Sequence, residues 1–245
     1  MLGVMLMRVE ELPKLTLYLF ALMLCSCTEA RMALSPQLRS SAVEYPVSGR
    51  EGLVFSGEFK FGPFEVVRVK RGWLEMSTLS FAGLSRSKTE DSFEFELRSP
   101  EGVWTGRCAG GLLQSQLEVS SLFGGNFSWR LSADTDFVCR LSGPKGSGDW
   151  QLLMRQGSAD AALSGMLRTR TDMFEVRGIS ALADSPLGLG RATGYEFRYH
   201  GRLAGGVEVL NAGRVWIVPS ACCPREAMTA AVSAALLLYR DRRFE

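Results

Sequence analysis

Apolar and polar side chains alternate along most of the chain between residues 52 and 218. The clearest example is residues 92–98 (SFEFELR), where apolar residues occupy every second position and charged residues follow them. Successive side chains of a β-strand point to opposite faces, so this pattern predicts a strand with one face in a core and the other in water. A Pro-Glu-Gly turn at residues 100–102 then predicts a returning strand over residues 103–108.

The same alternation recurs between turn signals and predicts roughly a dozen antiparallel strands. The other predicted strands cover residues 64–70, 113–120, 126–131, 137–141, 150–155, 163–169, 173–179, 195–200, 206–210 and 214–218. The last two flank Asn211-Ala212-Gly213, a three-residue hairpin loop with glycine where a left-handed backbone is wanted. We therefore expect a mainly β fold, either a barrel or a sandwich.

Residues 227–239 (AMTAAVSAALLLY) break this period and are apolar on nearly every side. Pro224 fits the first turn of a helix at this point, and we predict that the helix covers residues 225–240. Crossing a bilayer takes ~20 apolar residues, so a helix of this length should be buried in the protein instead. The sequence thus predicts one buried C-terminal helix after the strands.

This order of elements resembles the tubby C-terminal-like superfamily, which includes the LURP-one-related and phospholipid-scramblase-like proteins. The resemblance covers residues 52–243 in element order, and residues 227–240 in the apolar helix that precedes charged residues. It implies a barrel threaded by its C-terminal helix, and binding of lipid or of a membrane face. No phosphoinositide-contacting residue of those families has a match here, so none is assigned. The alternative is a β-sandwich, or another barrel with the helix across one opening.

The N-terminal residues contain a short apolar run that ends at a cysteine. Residues 15–24 (LTLYLFALML) have the length of a signal-peptide apolar region, and they end in Leu24-Cys25-Ser26-Cys27. This motif resembles a bacterial lipobox, although Cys25 departs from the usual residue at its position. The resemblance implies removal of residues 1–26 and transfer of a diacylglycerol to the thiol of Cys27, because a thiolate is the reactive nucleophile.

Two other interpretations of this segment stay open. One is an ordinary secretory signal cleaved near Ala30, and the other is a cytoplasmic protein with an apolar N-terminal strand. The start codon is also open among Met1, Met5 and Met7. If Cys27 is lipidated, the next residue is threonine rather than aspartate. By the usual sorting pattern this does not signal inner-membrane retention, so we expect a Gram-negative outer membrane.

Charge and composition narrow the function classes. The 245 residues carry 28 basic and 26 acidic side chains, a formal net charge of +2, which gives no reason to expect nucleic acid. The most basic stretches, residues 68–71 and 240–243, are short and fit a solvated strand face and a helix C-terminus. Residues 27–50 are Ser-rich and lack a sustained period, so we predict a flexible tether with a reach of ~25 Å before a single domain over residues 51–245.

Four cysteines remain beyond the lipobox: Cys108, Cys139, Cys222 and Cys223. After export they would meet an oxidising compartment. We favour a Cys108–Cys139 disulfide, because each lies in a predicted strand and a meander could set these strands side by side. A direct bond between Cys222 and Cys223 is strained, since adjacent α-carbons are ~3.8 Å apart and disulfides prefer about 4.4 Å or more. Their pairing is left undecided.

Candidate catalytic chemistry is sparse. The sequence 106–110 (GRCAG) fits a nucleophile elbow with cysteine in place of serine, but no helical period follows it. The chain has one histidine, His200, and no Cys-x-x-Cys pair, so we expect neither a metal site nor a cofactor. We assign no catalytic residue, and we interpret His200 as a surface imidazole at the end of a strand.

These observations lead to one expectation and two alternatives. We expect a membrane-anchored lipoprotein with a non-enzymatic binding or structural role in the cell envelope, whose partners are membrane lipid through Cys27 and an envelope protein. The first alternative is a lipid-binding or lipid-handling protein of tubby-like fold. The second is a hydrolase that uses Cys108.

Overall fold

A computed structural model describes residues 29–50, 57–72, 91–113, 135–145, 147–156, 162–169, 171–220 and 225–239. Residues Arg31–Glu245 form one compact unit, and Met1–Ala30 are a separate unit. The elements are α1 (Pro36–Ser41), β1 (Val43–Pro46), β2 (Phe59–Phe61), β3 (Phe64–Arg71), β4 (Asp91–Ser99), β5 (Gly102–Leu113), β6 (Thr135–Ser142), β7 (Asp149–Gln156), β8 (Leu163–Arg168), β9 (Met173–Ile179), β10 (Ala181–Leu182), β11 (Ser185–Gly188), β12 (Gly194–Tyr199), β13 (Arg202–Glu208), β14 (Arg214–Ile217) and α2 (Arg225–Leu238).

Twelve of these strands form one antiparallel sheet in the order β1-β14-β13-β12-β9-β8-β7-β6-β5-β4-β3-β2. The strands at its two ends meet just beyond β1, where Ser48 and Lys60 exchange two backbone hydrogen bonds of 2.9 and 3.0 Å. The sheet is therefore a nearly closed barrel, and the sandwich alternative is wrong. The small β10–β11 hairpin stands apart from it.

The period-two pattern predicted the strands because one side of each strand faces a continuous core. In β4 the apolar set Phe93, Phe95 and Leu97 is buried, while the charged residues between them point outward. The predicted loop at residues 211–213 joins β13 to β14, and both Asn211 and Gly213 have positive φ angles, of 51° and 95°. The predicted strand at residues 126–131, and nearly all of that at 113–120, lie outside the described residues.

The predicted buried helix is confirmed as α2, in which every residue from Ala227 to Leu238 is buried. It contacts the inner faces of β4, β5 and β6 and also those of β13 and β14. Five of these twelve residues are alanine, which keeps the helix narrow. A barrel of about eleven or twelve strands is wide enough to hold such a helix, whereas eight strands are filled by side chains alone. No helix in the described part of the chain is long and apolar enough to cross a membrane.

A charged side chain makes a hydrogen bond at each end of α2. Arg71, at the end of β3, donates from Nη2 to the carbonyl oxygen of Leu238 at 2.8 Å, and its guanidinium lies 5.4 Å from the centre of the Phe93 ring. At the other end, the carboxylate of Glu226 accepts the Ser220 N–H at 2.9 Å. Both contacts have the sign that the helix dipole favours, a cation at the C-terminus and an anion at the N-terminus.

Replacing Arg71 by alanine should lower the free energy of unfolding by about 1–2 kcal/mol, because the last carbonyl of the buried helix loses a charged donor. Urea denaturation of the variant beside the unmodified protein measures this. Arg98→Ala is the matched control: its ion pair with Glu65 joins two half-exposed side chains, and such pairs contribute about 1 kcal/mol or less. Equal losses in the two variants would contradict the capping role.

Residues 31–42, which we refer to as the strap, differ from the prediction. They were expected to belong to a tether over residues 27–50, but they are part of the folded unit, which begins at Arg31 and not at residue 51. Met32 and Leu38 are 1% and 0% exposed and pack with Trp216 on the outer face of the barrel. Since Trp216 points away from the main core, the strap supplies the apolar cover that it needs.

Polar contacts also fix the strap. The N–H of Met32 donates to a carboxylate oxygen of Glu208 at 2.6 Å, and the N–H of Ser35 donates to Glu196 at 3.3 Å. Both carboxylates are buried on the outer wall beneath the strap. Backbone hydrogen bonds join residues 31 and 33 of the strap to residues 183 and 181 of the β10–β11 hairpin. The strap therefore closes a second, smaller core against the outside of β12, β13 and β14.

Replacing Glu208 by alanine should open the strap while the barrel stays folded. The buried N–H of Met32 loses its acceptor, which lowers the free energy that holds the strap on the barrel by about 1–3 kcal/mol. The few other contacts of this short segment do not compensate for a loss of that size. We expect faster hydrogen exchange, and faster tryptic cleavage after Arg31 and Arg39, with little change in the midpoint of global unfolding. Glu208→Gln retains an acceptor and should protect the strap better. Unchanged cleavage in Glu208→Ala would refute this role for the carboxylate.

Candidate functional site

The predicted disulfide is present. Cys108 of β5 and Cys139 of β6 are directly opposite in the register of the two strands, and their sulfurs are bonded. Both residues are buried in the same core as α2. The segment 106–110 lies within β5, not at a strand-to-helix turn. Because the sulfur of Cys108 is in a disulfide, it cannot act as a thiolate nucleophile, and the hydrolase alternative loses the residue on which it depended.

His200 lies at the turn after β12, away from Cys108 on β5. Its imidazole is 59% exposed, and Nε2 lies 3.9 Å from a carboxylate oxygen of Asp172. That carboxylate also accepts the Tyr199 hydroxyl at 2.6 Å, and this hydrogen bond is the main reason why the pKa of Asp172 is lowered. The geometry is that of an exposed turn, as predicted for a surface imidazole.

The described part of the chain has a cleft of about 490 Å³ on the outer face of the barrel, across β3, β4, β5 and β6. We refer to it as the charged cleft. Its lining consists of Arg68, Lys70, Glu94, Phe95, Glu96, Thr105, Gly106, Arg107, Arg140 and Ser142. Four cations and two carboxylates thus contribute a formal charge of +2 to the lining.

Strand register builds this cleft. Lys70, Glu94, Arg107 and Arg140 are successive cross-strand partners on four neighbouring strands. All four therefore project from the same side of the sheet, opposite to the core. Arg107 and Arg140 are directly opposite each other, an arrangement that opposes folding because like charges in such pairs repel. The register therefore concentrates positive charge on this part of the outer wall.

Arg68 reaches the cleft through an irregularity in β3. The register of β3 against β4 shifts between Val67 and Lys70, and Arg68 has a φ of 52°, which is unusual for a residue other than glycine. Two carboxylates hold it: Glu58 accepts the Arg68 N–H at 3.0 Å, and Glu96 pairs with the guanidinium at 2.8 Å. This bulge turns an additional guanidinium toward the cleft.

Carboxylates compensate part of the positive charge. Arg107 pairs with Glu94 at 2.9 Å, and Arg140 pairs with Asp149, just outside the lining, at 2.6 Å. Burial tends to raise the pKa of Asp149, but hydrogen bonds from Ser142 and Arg140 outweigh it and leave that pKa below its ordinary value. Asp149 is therefore ionised at neutral pH. Lys70 has no ion-pair partner among the described residues.

The cleft offers several hydrogen-bond donors to an anionic group. Guanidinium and ammonium groups, with the hydroxyls of Thr105 and Ser142, donate hydrogen bonds to phosphate, sulfate or carboxylate groups. The lining contains neither cysteine nor histidine, and no cluster of possible metal ligands occurs among the described residues. The sequence did not reveal this site, because its side chains are brought together by register across four strands. Only the basic stretch 68–71 hinted at it.

The interior of the barrel has a different character. The side chains of α2 pack with the inward residues of the surrounding strands in one continuous core. A lipid chain at the position of α2 would have to displace this helix. The other predicted site residues, Cys27, Cys222 and Cys223, lie outside the described residues.

The chain matches no protein-family model, and comparisons with characterised proteins and with solved structures also find no match.

Proposed function

We propose that this protein is a lipoprotein of a Gram-negative outer membrane, anchored through Cys27, with a non-enzymatic binding or structural role in the cell envelope. The lipobox-like motif Leu24-Cys25-Ser26-Cys27 motivates the anchor. The charged cleft is the surface on which the barrel binds an anionic group of an envelope partner.

The Cys108–Cys139 disulfide supports export of the protein. Disulfides persist in oxidising compartments and are rare in the bacterial cytoplasm. A Cys108–Cys139 bond inside the barrel core therefore agrees with export by the N-terminal leader. A cytoplasmic protein with an apolar N-terminal strand, one of the alternatives for this segment, offers no reason for such a bond.

A lipid-handling role is the second candidate. The resemblance to the tubby C-terminal-like superfamily implies a barrel threaded by its C-terminal helix, and the contacts of α2 with two opposite walls agree with that arrangement. Because α2 occupies the interior, the ligand in this case is a lipid headgroup in the charged cleft. Organic extraction of the purified protein followed by mass analysis separates the candidates, since covalent acyl chains stay on the protein. Absence of extracted lipid would argue against this second role.

Membrane fractionation of the full-length protein in a Gram-negative host tests the proposed function. We expect the protein in the outer-membrane fraction and Cys27→Ala in the soluble periplasmic or inner-membrane fraction, because a thiol is required for lipid transfer. Cys25→Ala is the matched control, since it changes the neighbouring cysteine of the motif and should keep the outer-membrane location. Recovery of the unmodified protein in the cytosol with its leader intact would overturn the proposal.

A further inference from the structure

The strap attaches the barrel to the chain at Arg31. From that residue onward the backbone is tied to the β10–β11 hairpin: the carbonyl of Arg31 accepts the Ala183 N–H at 2.9 Å, and the Ala33 N–H donates to the carbonyl of Ala181 at 3.1 Å. Met32 is bound to Glu208 and is buried. The strap is therefore fixed to the wall made by β12, β13 and β14 from its first residues onward.

Only three residues separate the proposed lipid site, Cys27, from Arg31. Four residue steps of fully extended chain span at most about 14 Å, and the polar layer of a bilayer is roughly 5–7 Å thick on each side. The attachment point of the strap is therefore held within about one polar layer of the lipid surface. A flexible tether over residues 27–50 would have allowed the barrel to move away from the membrane and to rotate relative to it. Because the strap is folded onto the barrel, both movements are restricted.

The charged cleft is on the opposite wall. In the twelve-stranded order, β13 beneath the strap and β5 in the cleft are six places apart, which is halfway around a closed barrel. The contacts of α2 agree, since the helix between these walls contacts β13 and β14 on one side and β4, β5 and β6 on the other. The strap and the cleft therefore face in opposite directions.

We infer that the short connection holds the strap side of the barrel against the lipid surface and presents the charged cleft away from the membrane. This inference rests on the proposed anchoring through Cys27. The orientation also decides between two ligands of the cleft, an anionic lipid headgroup and an anionic group of an envelope partner. If the barrel could rotate freely on its anchor, anionic lipid headgroups would attract the cationic cleft. With the strap against the bilayer, the cleft instead meets anionic groups of a partner in the aqueous space of the envelope.

Site-specific photocrosslinking to lipid tests this orientation. The acylated full-length protein, with p-benzoylphenylalanine in place of Arg39, Arg191 or Arg98, is reconstituted in vesicles of phosphatidylethanolamine and phosphatidylglycerol. Arg39 is exposed on the strap, and Arg191 is exposed in the loop beside the β10–β11 hairpin. Arg98 is exposed on the outer face of β4, one of the strands that form the cleft. We expect several-fold more lipid adduct from the first two positions than from Arg98.

A spacer variant is the control. Insertion of about 20 Gly/Ser residues between Ala30 and Arg31 provides a reach of ~25 Å and should abolish the bias, or reverse it toward Arg98, while the protein still floats with the vesicles. Equal or greater lipid adduct at Arg98 in the protein without the spacer would overturn the orientation. Failure to float, with an unmodified Cys27 by mass, would instead overturn the proposed anchor, so the two failures are distinguishable.

Discussion

Replacing Leu236 by aspartate is expected to abolish folding of the barrel. Leu236 is 2% exposed and lies in α2, inside the core that the helix shares with the surrounding strands. A carboxylate at this position has no partner and cannot reach water, so its burial costs several kcal/mol or forces it to be protonated. Typical domains are stable by about 5–15 kcal/mol, so a loss of this size removes much of the folded population.

Circular dichroism and thermal unfolding of the purified variant measure this effect. At temperatures at which the unmodified protein is fully folded, we expect the variant to be unfolded already and to show no cooperative unfolding transition on heating. Leu236→Met is the matched control: it keeps the apolar character and nearly the volume, and it should cost less than about 1.5 kcal/mol. A variant Leu236→Asp with the original midpoint would mean that α2 is not in the core.

Removal of the disulfide is expected to have the second-largest effect. Cys108 and Cys139 are 31 residues apart in sequence, and closing a loop of this length restricts the unfolded chain by about 3–4 kcal/mol in the entropic model. The double variant Cys108→Ala, Cys139→Ala should therefore unfold at clearly lower denaturant concentration. Its fold should persist, because both positions accept a small apolar residue within the same core.

Reduction of the unmodified protein should produce a comparable loss, and reduction of the double variant should produce none. This comparison separates the disulfide from the volume that the sulfurs fill. If reductant frees both thiols and leaves the stability of the unmodified protein unchanged, the bond contributes nothing to stability. If both thiols are already free before reductant is added, the argument for an oxidising compartment loses its main support.

Local sequence patterns predicted the elements whose environment is simple. Strands such as β4 are recognisable because one face is core and the other is solvent, and α2 is recognisable because all its sides are buried. The Cys108–Cys139 pairing could be predicted because each cysteine lies in a strand-like segment and a meander can set such strands side by side. In each case the sequence of the segment itself, or of a neighbouring strand, determines whether a residue faces the core or the solvent.

Elements that depend on distant segments could not be predicted. In the strap, Met32 and Leu38 are buried because they pack on Trp216, which lies on the outer face of the barrel. Gly206 illustrates this dependence: a methyl group at its position would lie 2.8 Å from the side chain of Leu38, so glycine there makes room for the strap. Closure of the barrel likewise depends on Ser48 meeting Lys60, a contact that no local pattern encodes.

The charged cleft was missed for the same reason. Each of its arginines, taken alone, has the appearance of a solvated residue on the polar face of a strand. Only the register places Arg107 opposite Arg140, and only the bulge in β3 turns Arg68 toward them. A pattern search within single strands does not detect a site built across four of them.

Anchoring through Cys27 is tested by the intact mass of the protein purified from the membranes of a Gram-negative host. We expect a chain that begins at Cys27, is heavier by a diacylglycerol and an amide-linked acyl chain, and is lighter by two hydrogens because of the Cys108–Cys139 bond. A chain that retains residues 1–26, or one that is cleaved near Ala30 without lipid, would contradict the anchor and the orientation that depends on it.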